Sequence, residues 1–418
     1  MKRSAVKKTV AREDILRDAG RVFSESYVKM LCAKGHDFLE QGYEGSYTGD
    51  SEGKRLLDCY TSGGVFNLGR KNPSIIQRFK KAIYETDQGN FVMPSQEKAL
   101  LAHRIAGFMP GNLDCVLFGV TRGESMDAAC KLARGFTARS RLVTVDGGCY
   151  GESGFALSLS DRAGREQFGR LIPDVEVIPF GDIEAAENAI GAKTAAVVME
   201  PMQAENHCRS ADPGYYQQIR TLCDASGARL IFDETQSGFG RTGTRFFFEQ
   251  TGVQPDILIV GEAITSGIFP MTAMVFTPEL KGFFDIHPLI HLCTFGGHDL
   301  GCMVALKALD EYDRIEPWEN ARSLGDRLIE DLGGLAGNYP DLLSSVSGKG
   351  LLISLKFSSR DAAEGFCRAL RVEGLLMNTG KVDPSTVVIR PSLLITSEEV
   401  SGIVEAVTKT LKGMRKKG

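Results

Sequence analysis

The sequence predicts an α/β fold in which a large domain holds a doubly wound, mostly parallel sheet and a smaller α+β domain follows. Short apolar runs alternate with helical patterns between residues 115 and 276, and such alternation is typical of strands joined by crossover helices. Two runs, at residues 230–232 and 257–260, are apolar throughout, as buried parallel strands are. After about Tyr312 the pattern changes to longer helices and fewer strands, which indicates the second domain.

The order of the elements follows from the apolar runs and from helix start signals. Strands are predicted at residues 115–118, 142–145, 175–178, 195–199, 230–232, 257–260, 271–276, 351–357 and 386–389. Helices are predicted from Asn72, after Ser95, up to Arg134, from Asp182, at Pro213, on both sides of the strand at 351–357 and after Thr396. Near the N-terminus, residues 50–64 predict a hairpin with its turn at 52–54.

Two of the helices have strong start signals. The helix after Asn72 has Pro73 at its first position, where a missing backbone N–H costs nothing. Its apolar face is formed by Ile75, Ile76, Phe79 and Ile83. The last helix begins with a capping box, in which the side chains of Thr396 and Glu399 each accept a bond from the other's backbone N–H.

These patterns divide the chain into three parts. Residues 1–70 are expected to contribute to the small lobe, residues 71–312 to form the large domain, and residues 313–418 to form the C-terminal small domain. The first 30 residues are basic, which fits either a nucleic-acid arm or a solvated tail or first helix, and we favour the second interpretation.

Composition excludes several classes of protein. With 418 residues, 43% hydrophobic and 24% charged, the chain has the profile of a globular protein. Its net charge of −4 gives no general reason to bind nucleic acid, and no apolar stretch is long enough for a membrane span or a signal peptide. Because the ten cysteines form no C-x-x-C pair, we expect free thiols in a cytoplasmic protein.

Polar side chains follow the two apolar runs at the point where each predicted strand ends. Asp233 and Gln236 follow the first strand and Glu262 follows the second, at the sheet edge where α/β proteins bind ligands. A buried Asp233 needs a compensating group, such as a protonated pyridine nitrogen, an arginine like Arg241, or a helix N-terminus. Gln236 is either a hydrogen-bond donor to a phenolate or simply solvated.

The turn at residues 120–124 lies between a predicted strand and a predicted helix. Such a turn can direct backbone N–H groups at a phosphate, with help from the helix dipole, although a plain loop is the alternative.

Taken together, these segments resemble the class III (ornithine/ω-amino acid) aminotransferases, a branch of the fold-type I enzymes that use pyridoxal 5′-phosphate. The resemblance covers nearly the whole chain and is most specific at residues 199–203, 233–243, 255–267 and 294–302. It implies a fold-type I architecture, pyridoxal or pyridoxamine phosphate as cofactor, and a homodimer with shared active sites. It also implies a small amine or amino acid substrate that reacts through an external aldimine, and no metal site.

The resemblance assigns roles to individual residues. Asp233 would pair with the pyridinium nitrogen, Gln236 would contact the 3′-oxygen and Glu200 would lie beside the site. Thr121, Arg122 and Gly123 would hold the phosphate, with Thr294 contributed by the neighbouring subunit. Arg390 would bind a substrate carboxylate in a bidentate pair or, equally well, form a structural salt bridge.

Several positions depart from the family pattern. Glu262 stands where the family has its Schiff-base lysine, and a carboxylate has no amine with which to form an internal aldimine. Arg122 stands where the family prefers a glycine, so that its side chain either aids or crowds the phosphate. Cys149, with Tyr150 beside it as the other candidate, stands where an aromatic ring usually stacks on the cofactor. His298 replaces an asparagine and is either catalytic or structural.

Three interpretations of Glu262 remain open. Glu262 is an inactivating substitution of a natural lysine, or it is natural and acts as a base in a lysine-free enzyme that catalyses transfer, racemisation, elimination or substitution. In the third interpretation the chain is a non-catalytic partner subunit. The intact surroundings at residues 256–267 favour the first interpretation and the other departures favour the second, whereas the retained Asp233 and Gln236 argue against the third.

Overall fold

The structure is a computed structural model that describes residues 11–90 and 92–416, and the side chain of Glu262 also lies outside the described residues. The helices are α1 (Arg12–Val22), α2 (Glu25–Lys34), α3 (Thr61–Gly64), α4 (Pro73–Glu85), α5 (Gln96–Phe108), α6 (Arg122–Thr137), α7 (Gly154–Leu159), α8 (Ile183–Ala189), α9 (Pro213–Ser226), α10 (Phe248–Thr251), α11 (Pro278–Ile286), α12 (Asp299–Ile315), α13 (Pro317–Asn338), α14 (Arg360–Val372) and α15 (Ser397–Arg415). The basic residues before residue 11 fall outside the described part of the chain.

The nine predicted strands agree with the structure to within one residue at each end, whereas β1, β8, β9, β13, β15 and β16 were not predicted. They are β1 (Glu40–Glu44), β2 (Tyr47–Asp50), β3 (Arg55–Asp58), β4 (Cys115–Gly119), β5 (Arg141–Val145), β6 (Val175–Ile178), β7 (Thr194–Met199), β8 (Met202–Gln203), β9 (Arg209–Ser210), β10 (Arg229–Asp233), β11 (Ile257–Val260), β12 (Thr272–Phe276), β13 (Leu343–Lys349), β14 (Leu352–Phe357), β15 (Leu375–Leu376), β16 (Asn378–Thr379) and β17 (Thr386–Ile389).

The central sheet confirms the predicted doubly wound, mostly parallel arrangement. Its strand order is β4-β12-β11-β10-β7-β5-β6. Strand β10 pairs in parallel with both β11 and β7, whereas β12 runs antiparallel to its neighbours β11 and β4. Every residue of β7 and β11 is buried, because helices cover both faces of the sheet. Asp233 ends β10 opposite Ile259 of β11, so the two strands end side by side.

The predicted start of α4 is correct, but its predicted apolar face is only partly buried. The Asn72 side chain accepts from the backbone N–H groups of Ser74 and Ile75, and Pro73 begins the helix. Ile75 is fully buried, whereas Ile83 is 53% exposed. Helix α4 packs against α12, and its apolar stripe extends beyond that contact to the surface.

The small sheets join distant parts of the chain. Strands β13, β14, β17 and β16 form one antiparallel sheet. The predicted hairpin is confirmed as β2–β3, whose turn places Gly53 at a φ of +87°. Strand β15 then pairs in parallel with β3, so the N-terminal strands and the C-terminal part share a sheet. The domain boundaries at residues 70 and 312 stay a prediction.

The predicted capping box at the start of α15 is present. The Thr396 hydroxyl accepts from the Glu399 N–H at 3.2 Å, and the Glu399 carboxylate accepts from the Thr396 N–H at 2.8 Å.

We expect Thr396→Ala to lower the free energy of unfolding by about 1 kcal/mol, because a backbone N–H at the helix start loses its partner. Denaturant unfolding measures this change. The exposed mid-helix change Glu405→Ala serves as a control and should stay within about 0.5 kcal/mol, and an equal loss in both variants would contradict the capping role.

Other sequence-based expectations concern thiols, membranes and metals. All ten cysteines are free, as predicted. Within residues 11–90 and 92–416, no helix is long and apolar enough to cross a membrane. No group of three or more histidine, cysteine, aspartate or glutamate residues in that part of the chain is arranged to hold a metal ion.

Candidate active site

A cavity of about 410 Å³ lies at the carboxyl ends of β10 and β11. Segments far apart in the sequence surround it: the loop around α3, the start of α6, the loop after β5, the residues after β10 and β11, and the loop around β16. Its lining residues are Tyr60, Ser62, Gly63, Val65, Thr121, Arg122, Gly123, Cys149, Gly151, Glu152, Ser153, Glu205, Thr235, Gln236, Ala263, Asn378, Lys381 and Arg390. The location is the sheet edge at which α/β folds place their ligands.

Asp233 is held by contacts on both of its carboxylate oxygens. Its Oδ1 atom accepts from the backbone N–H of Thr235 at 3.0 Å and from the Thr235 hydroxyl at 2.8 Å. Its Oδ2 atom accepts from Nε of Arg122 at 2.8 Å. The sequence suggested Arg241 as a possible arginine partner, and this is wrong: Arg241 instead contacts Asn67 and backbone carbonyls.

Arg122 bridges Asp233 to a second buried carboxylate. Its Nη2 atom donates to Oε1 of Glu200 at 2.7 Å, and Oε2 of Glu200 accepts from the backbone N–H of Cys149 at 2.9 Å. Asp233 is 2% exposed and Glu200 is 1% exposed. The guanidinium therefore lies against the sheet edge rather than at the surface.

The charges in this cluster alter each other's titration. Burial raises the pKa of Glu200, against the opposing effect of Arg122. Burial alone would lower the pKa of Arg122, but the nearby charges of Asp233 and Glu200 outweigh it and raise that pKa well above its usual value. The arginine is therefore a permanent cation that is shared by two buried acids.

The start of α6 forms a close-packed cradle. A Cβ atom on Gly123 would lie 2.6 Å from Oγ of Ser153, and one on Gly151, whose φ is +130°, would lie 2.7 Å from Cα of Gly123. Only glycine permits this approach between the turn and the loop after β5. The Oγ atom of Ser153 is buried and has no hydrogen-bond partner among the described residues. An unpaired hydroxyl beside a helix N-terminus suits an anionic group.

The structure separates the two candidates for stacking on a ring. Cys149 lines the cavity, and burial raises the pKa of its thiol. Tyr150 is fully buried behind the cavity, where its hydroxyl lies 3.1 Å from Oγ1 of Thr144. Cys149 is thus the residue placed to contact a bound ligand, and Tyr150 belongs to the core.

Arg390 reaches the cavity from the small domain and is already in an ion pair. Its Nη1 atom donates to Oε1 of Glu205 at 2.9 Å and also to the side-chain oxygen of Gln236. Glu205 accepts a further bond from the backbone N–H of Lys381 at 2.9 Å. Although burial alone would raise the pKa of Glu205, Arg390 and Lys381 lower it overall. Arg390 is therefore both a salt-bridge residue and a lining residue.

Three further candidates lie around this arrangement. Glu262 begins a 3₁₀ turn, Glu262–Thr265, directly after β11, and its side chain lies outside the described residues. Thr294 is exposed in a turn that is not part of the cavity lining. His298 caps α12, accepting at Nδ1 from the Gly301 N–H at 3.2 Å, and its ring lies 4.6 Å from that of Phe269. This geometry gives His298 a structural role.

Sequence reasoning missed several residues that the fold brings to the cavity. Glu205, Lys381, Tyr60 and Ser153 all line it, although they come from separate loops. For Glu205 the nearby 199–203 motif was a partial signal. For the other three the local sequence carries no signal: Tyr60 and Lys381 reach the cavity only through the packing of the small domain against the sheet edge, and Ser153 only through the close approach of its loop to the start of α6.

Comparisons with known proteins place this geometry in a family. A family model described as aminotransferase class-III matches residues 33–411. An uncharacterised aminotransferase from Archaeoglobus fulgidus is 36% identical over 398 residues, which cover 94% of this chain and 93% of that protein.

Solved structures agree on the fold. An ornithine aminotransferase from Toxoplasma gondii superposes with a TM-score of 0.91 at 23% identity, over 98% of this chain and 97% of that one. An acetylornithine aminotransferase from Elizabethkingia anophelis has a TM-score of 0.83 at 25% identity, over 97% and 100% of the two chains. The chain therefore belongs to the class III aminotransferases, as an aminotransferase-like enzyme of fold type I whose family implies pyridoxal 5′-phosphate as its cofactor.

Proposed function

We propose that this chain binds pyridoxal or pyridoxamine phosphate without a covalent lysine link and acts on a small amine or amino acid. The observation that supports this most is that two features occur together. Asp233 is retained and buried at the end of β10, and position 262 has a glutamate instead of a lysine. A chain with no use for the cofactor has no evident reason to keep that acid at a cavity. A carboxylate at position 262 cannot form the covalent link.

The described residues fit the cofactor at its phosphate end. The Gly123–Gly151 contact leaves a narrow cradle at the start of α6, and the unpaired Ser153 hydroxyl adds a donor there. The cavity volume of about 410 Å³ lies in the range of small-molecule sites. At the ring end Asp233 is present, but its Oδ2 atom is paired with Arg122. The fit therefore requires that pair to open.

Each residue then has a proposed task. When bound, the cofactor supplies an electron sink that stabilises negative charge on a carbon next to the substrate nitrogen. Asp233 would hold the ring nitrogen protonated, Gln236 would donate to the ring oxygen, and Cys149 would cover one ring face. Glu262 would act as the base for the proton on the substrate α-carbon or on C4′ of the cofactor.

The substrate side of the cavity is set by Arg390. A substrate carboxylate would compete with Glu205 for the guanidinium, so an amino acid must displace that pair, whereas a simple amine leaves it intact. The strength of the Arg390–Glu205 ion pair therefore determines whether the site prefers a simple amine or an amino acid.

We also propose a homodimer in which Thr294 completes the phosphate cradle of the other subunit. Thr294 is itself exposed, and large apolar side chains near it are exposed as well. They are Leu289 at 68%, Ile290 at 56%, Leu292 at 49% and Phe295 at 54%. An exposed apolar patch of this kind is typical of a protein–protein interface.

Equilibrium dialysis tests the proposed function. The purified protein should bind both forms of the cofactor, seen as a change in ligand absorbance, and should lose them on exhaustive dialysis. Asp233→Asn should weaken binding by roughly tenfold or more, because the ring nitrogen loses its ionic partner (about 1.4 kcal/mol per factor of ten). Asp313→Asn, a change in an exposed ion pair, should leave binding unchanged.

Absence of binding by the unaltered protein would overturn this proposal. It would favour a second candidate, a non-catalytic partner subunit. One observation supports that candidate: Arg122 of the same chain forms an ion pair with Asp233, so the buried acid has a counter-charge within the protein.

A further inference from the structure

Arg122 occupies the atom of Asp233 that a ring nitrogen would need. Thr235 occupies Oδ1 of Asp233 with two hydrogen bonds, at 3.0 and 2.8 Å, and Arg122 covers Oδ2 with one hydrogen bond at 2.8 Å. The aspartate has no exposed edge left for a second cation, since it is 2% exposed. A protonated ring nitrogen and Arg122 are therefore alternative partners for the same carboxylate.

Glu200 gives the guanidinium a second anchor. Nη2 of Arg122 donates to Glu200 at 2.7 Å, whereas Nε donates to Asp233, so the two acids contact different nitrogens of one group. If the Asp233 contact opens, the contact with Glu200 can persist, and the arginine does not have to enter solvent as a free charge. Its side chain is 15% exposed and lines the cavity, so the side away from Asp233 borders open space rather than packed core.

We propose that Arg122 is an internal counter-cation that neutralises Asp233 when no cofactor is bound and leaves it, pivoting on Glu200, when a ring nitrogen arrives. This inference rests on the proposed function. It makes the cofactor an exchangeable ligand, because the empty site is already electrically satisfied and no lysine retains the bound form.

The exchange has a measurable cost in affinity. The apparent dissociation constant equals the intrinsic one divided by the fraction of molecules in which Arg122 has left Asp233. If the pair is closed nine times in ten, its removal should tighten binding roughly tenfold. The same removal should destabilise the empty protein, because a buried carboxylate then lacks a cation.

Three variants test the exchange in the full-length protein. Titration with pyridoxamine phosphate, followed by calorimetry, should give a dissociation constant roughly tenfold lower for Arg122→Gln and Arg122→Gly than for the unaltered chain. The cofactor-free forms of both variants should melt several degrees lower. Arg122→Lys, which keeps a cation, should resemble the unaltered chain in both measurements.

A double-mutant cycle shows whether Asp233 is the partner. Asp233→Asn should remove most of the melting-temperature loss caused by Arg122→Gln, because the uncompensated charge is then absent. Equal dissociation constants in all variants, or weaker binding by Arg122→Gln and Arg122→Gly, would overturn the exchange while leaving the proposed function standing. Absence of binding by every variant would instead overturn the proposed function, and the exchange with it.

Discussion

Glu262→Lys is expected to convert this chain into one that holds pyridoxal phosphate covalently. Position 262 follows β11 directly, and β11 ends beside the strand that carries Asp233. An amine at this position can condense with the cofactor aldehyde, with loss of water, to form an imine, whereas a carboxylate has no such reaction. The introduced lysine can also release an aminated product, because its amine takes the place of the product amine in the imine and the product leaves as a free amine.

The measurement is retention of the cofactor after exhaustive dialysis. The unaltered chain should lose its bound absorbance, and Glu262→Lys should keep it as a visible band that borohydride reduction turns into a permanent mass increase. Glu262→Gln, with neither charge nor amine, is the matched control and should lose the cofactor. If Glu262→Lys yields neither a covalent adduct nor amine transfer with any donor, the site is not an aminotransferase site.

Glu205→Gln is expected to lower the free energy of unfolding by about 3–5 kcal/mol. Glu205 and Arg390 are 3% and 2% exposed and form an ion pair at 2.9 Å. Loss of the carboxylate leaves a buried guanidinium without a counter-charge, and this costs more than the pair itself contributes. Denaturant unfolding at neutral pH measures the effect.

The pH dependence of stability tests the same pair independently. Because the folded protein lowers the pKa of Glu205, the contribution of the pair is present above the unfolded-state pKa of about 4.3 and is lost as the pH falls through the folded-state value. Glu205→Gln should therefore lose less stability than the unaltered chain when the pH is lowered below about 4.

A double replacement separates an unpaired charge from a general packing defect. Glu205→Leu combined with Arg390→Met removes both charges and should be less destabilised than Glu205→Gln alone. If the double variant is the less stable of the two, packing rather than charge determines the effect, and the ion-pair argument fails.

The elements of this fold were largely predictable because their signals are local. Pro73 after Asn72 and the Thr396–Glu399 box specify helix starts through bonds that span only a few residues. Buried runs such as Ile257–Val260 specify strands through their composition. The sequence did not indicate how far the apolar stripe of α4 is buried, because burial depends on the partner: Ile83 continues the stripe and is nevertheless exposed.

The candidate site was predictable only in part. The sequence placed Asp233, Gln236, Glu200 and the turn at residues 121–123 at one edge of the sheet, and the roles assigned to them stay predictions. It did not indicate which charge compensates Asp233, because an arginine's reach and direction depend on how α6 packs against β10. It left open whether Arg122 aids or crowds a phosphate, and the structure directs that side chain to two carboxylates instead.

The sequence by itself determined the α/β class, the order of the central-sheet strands along the chain, the position of the site at their carboxyl ends and the absence of a lysine at position 262. These features depend on the spacing of apolar residues, on the residue types at turns and on the identity of single residues, all of which can be read from short stretches of sequence. The tertiary structure alone decided that Arg122 neutralises Asp233 and that Glu205 holds Arg390. Such pairs join residues more than a hundred positions apart in the sequence. A buried charge requires a partner because the protein interior has a low dielectric constant, and that interior exists only after the chain has folded.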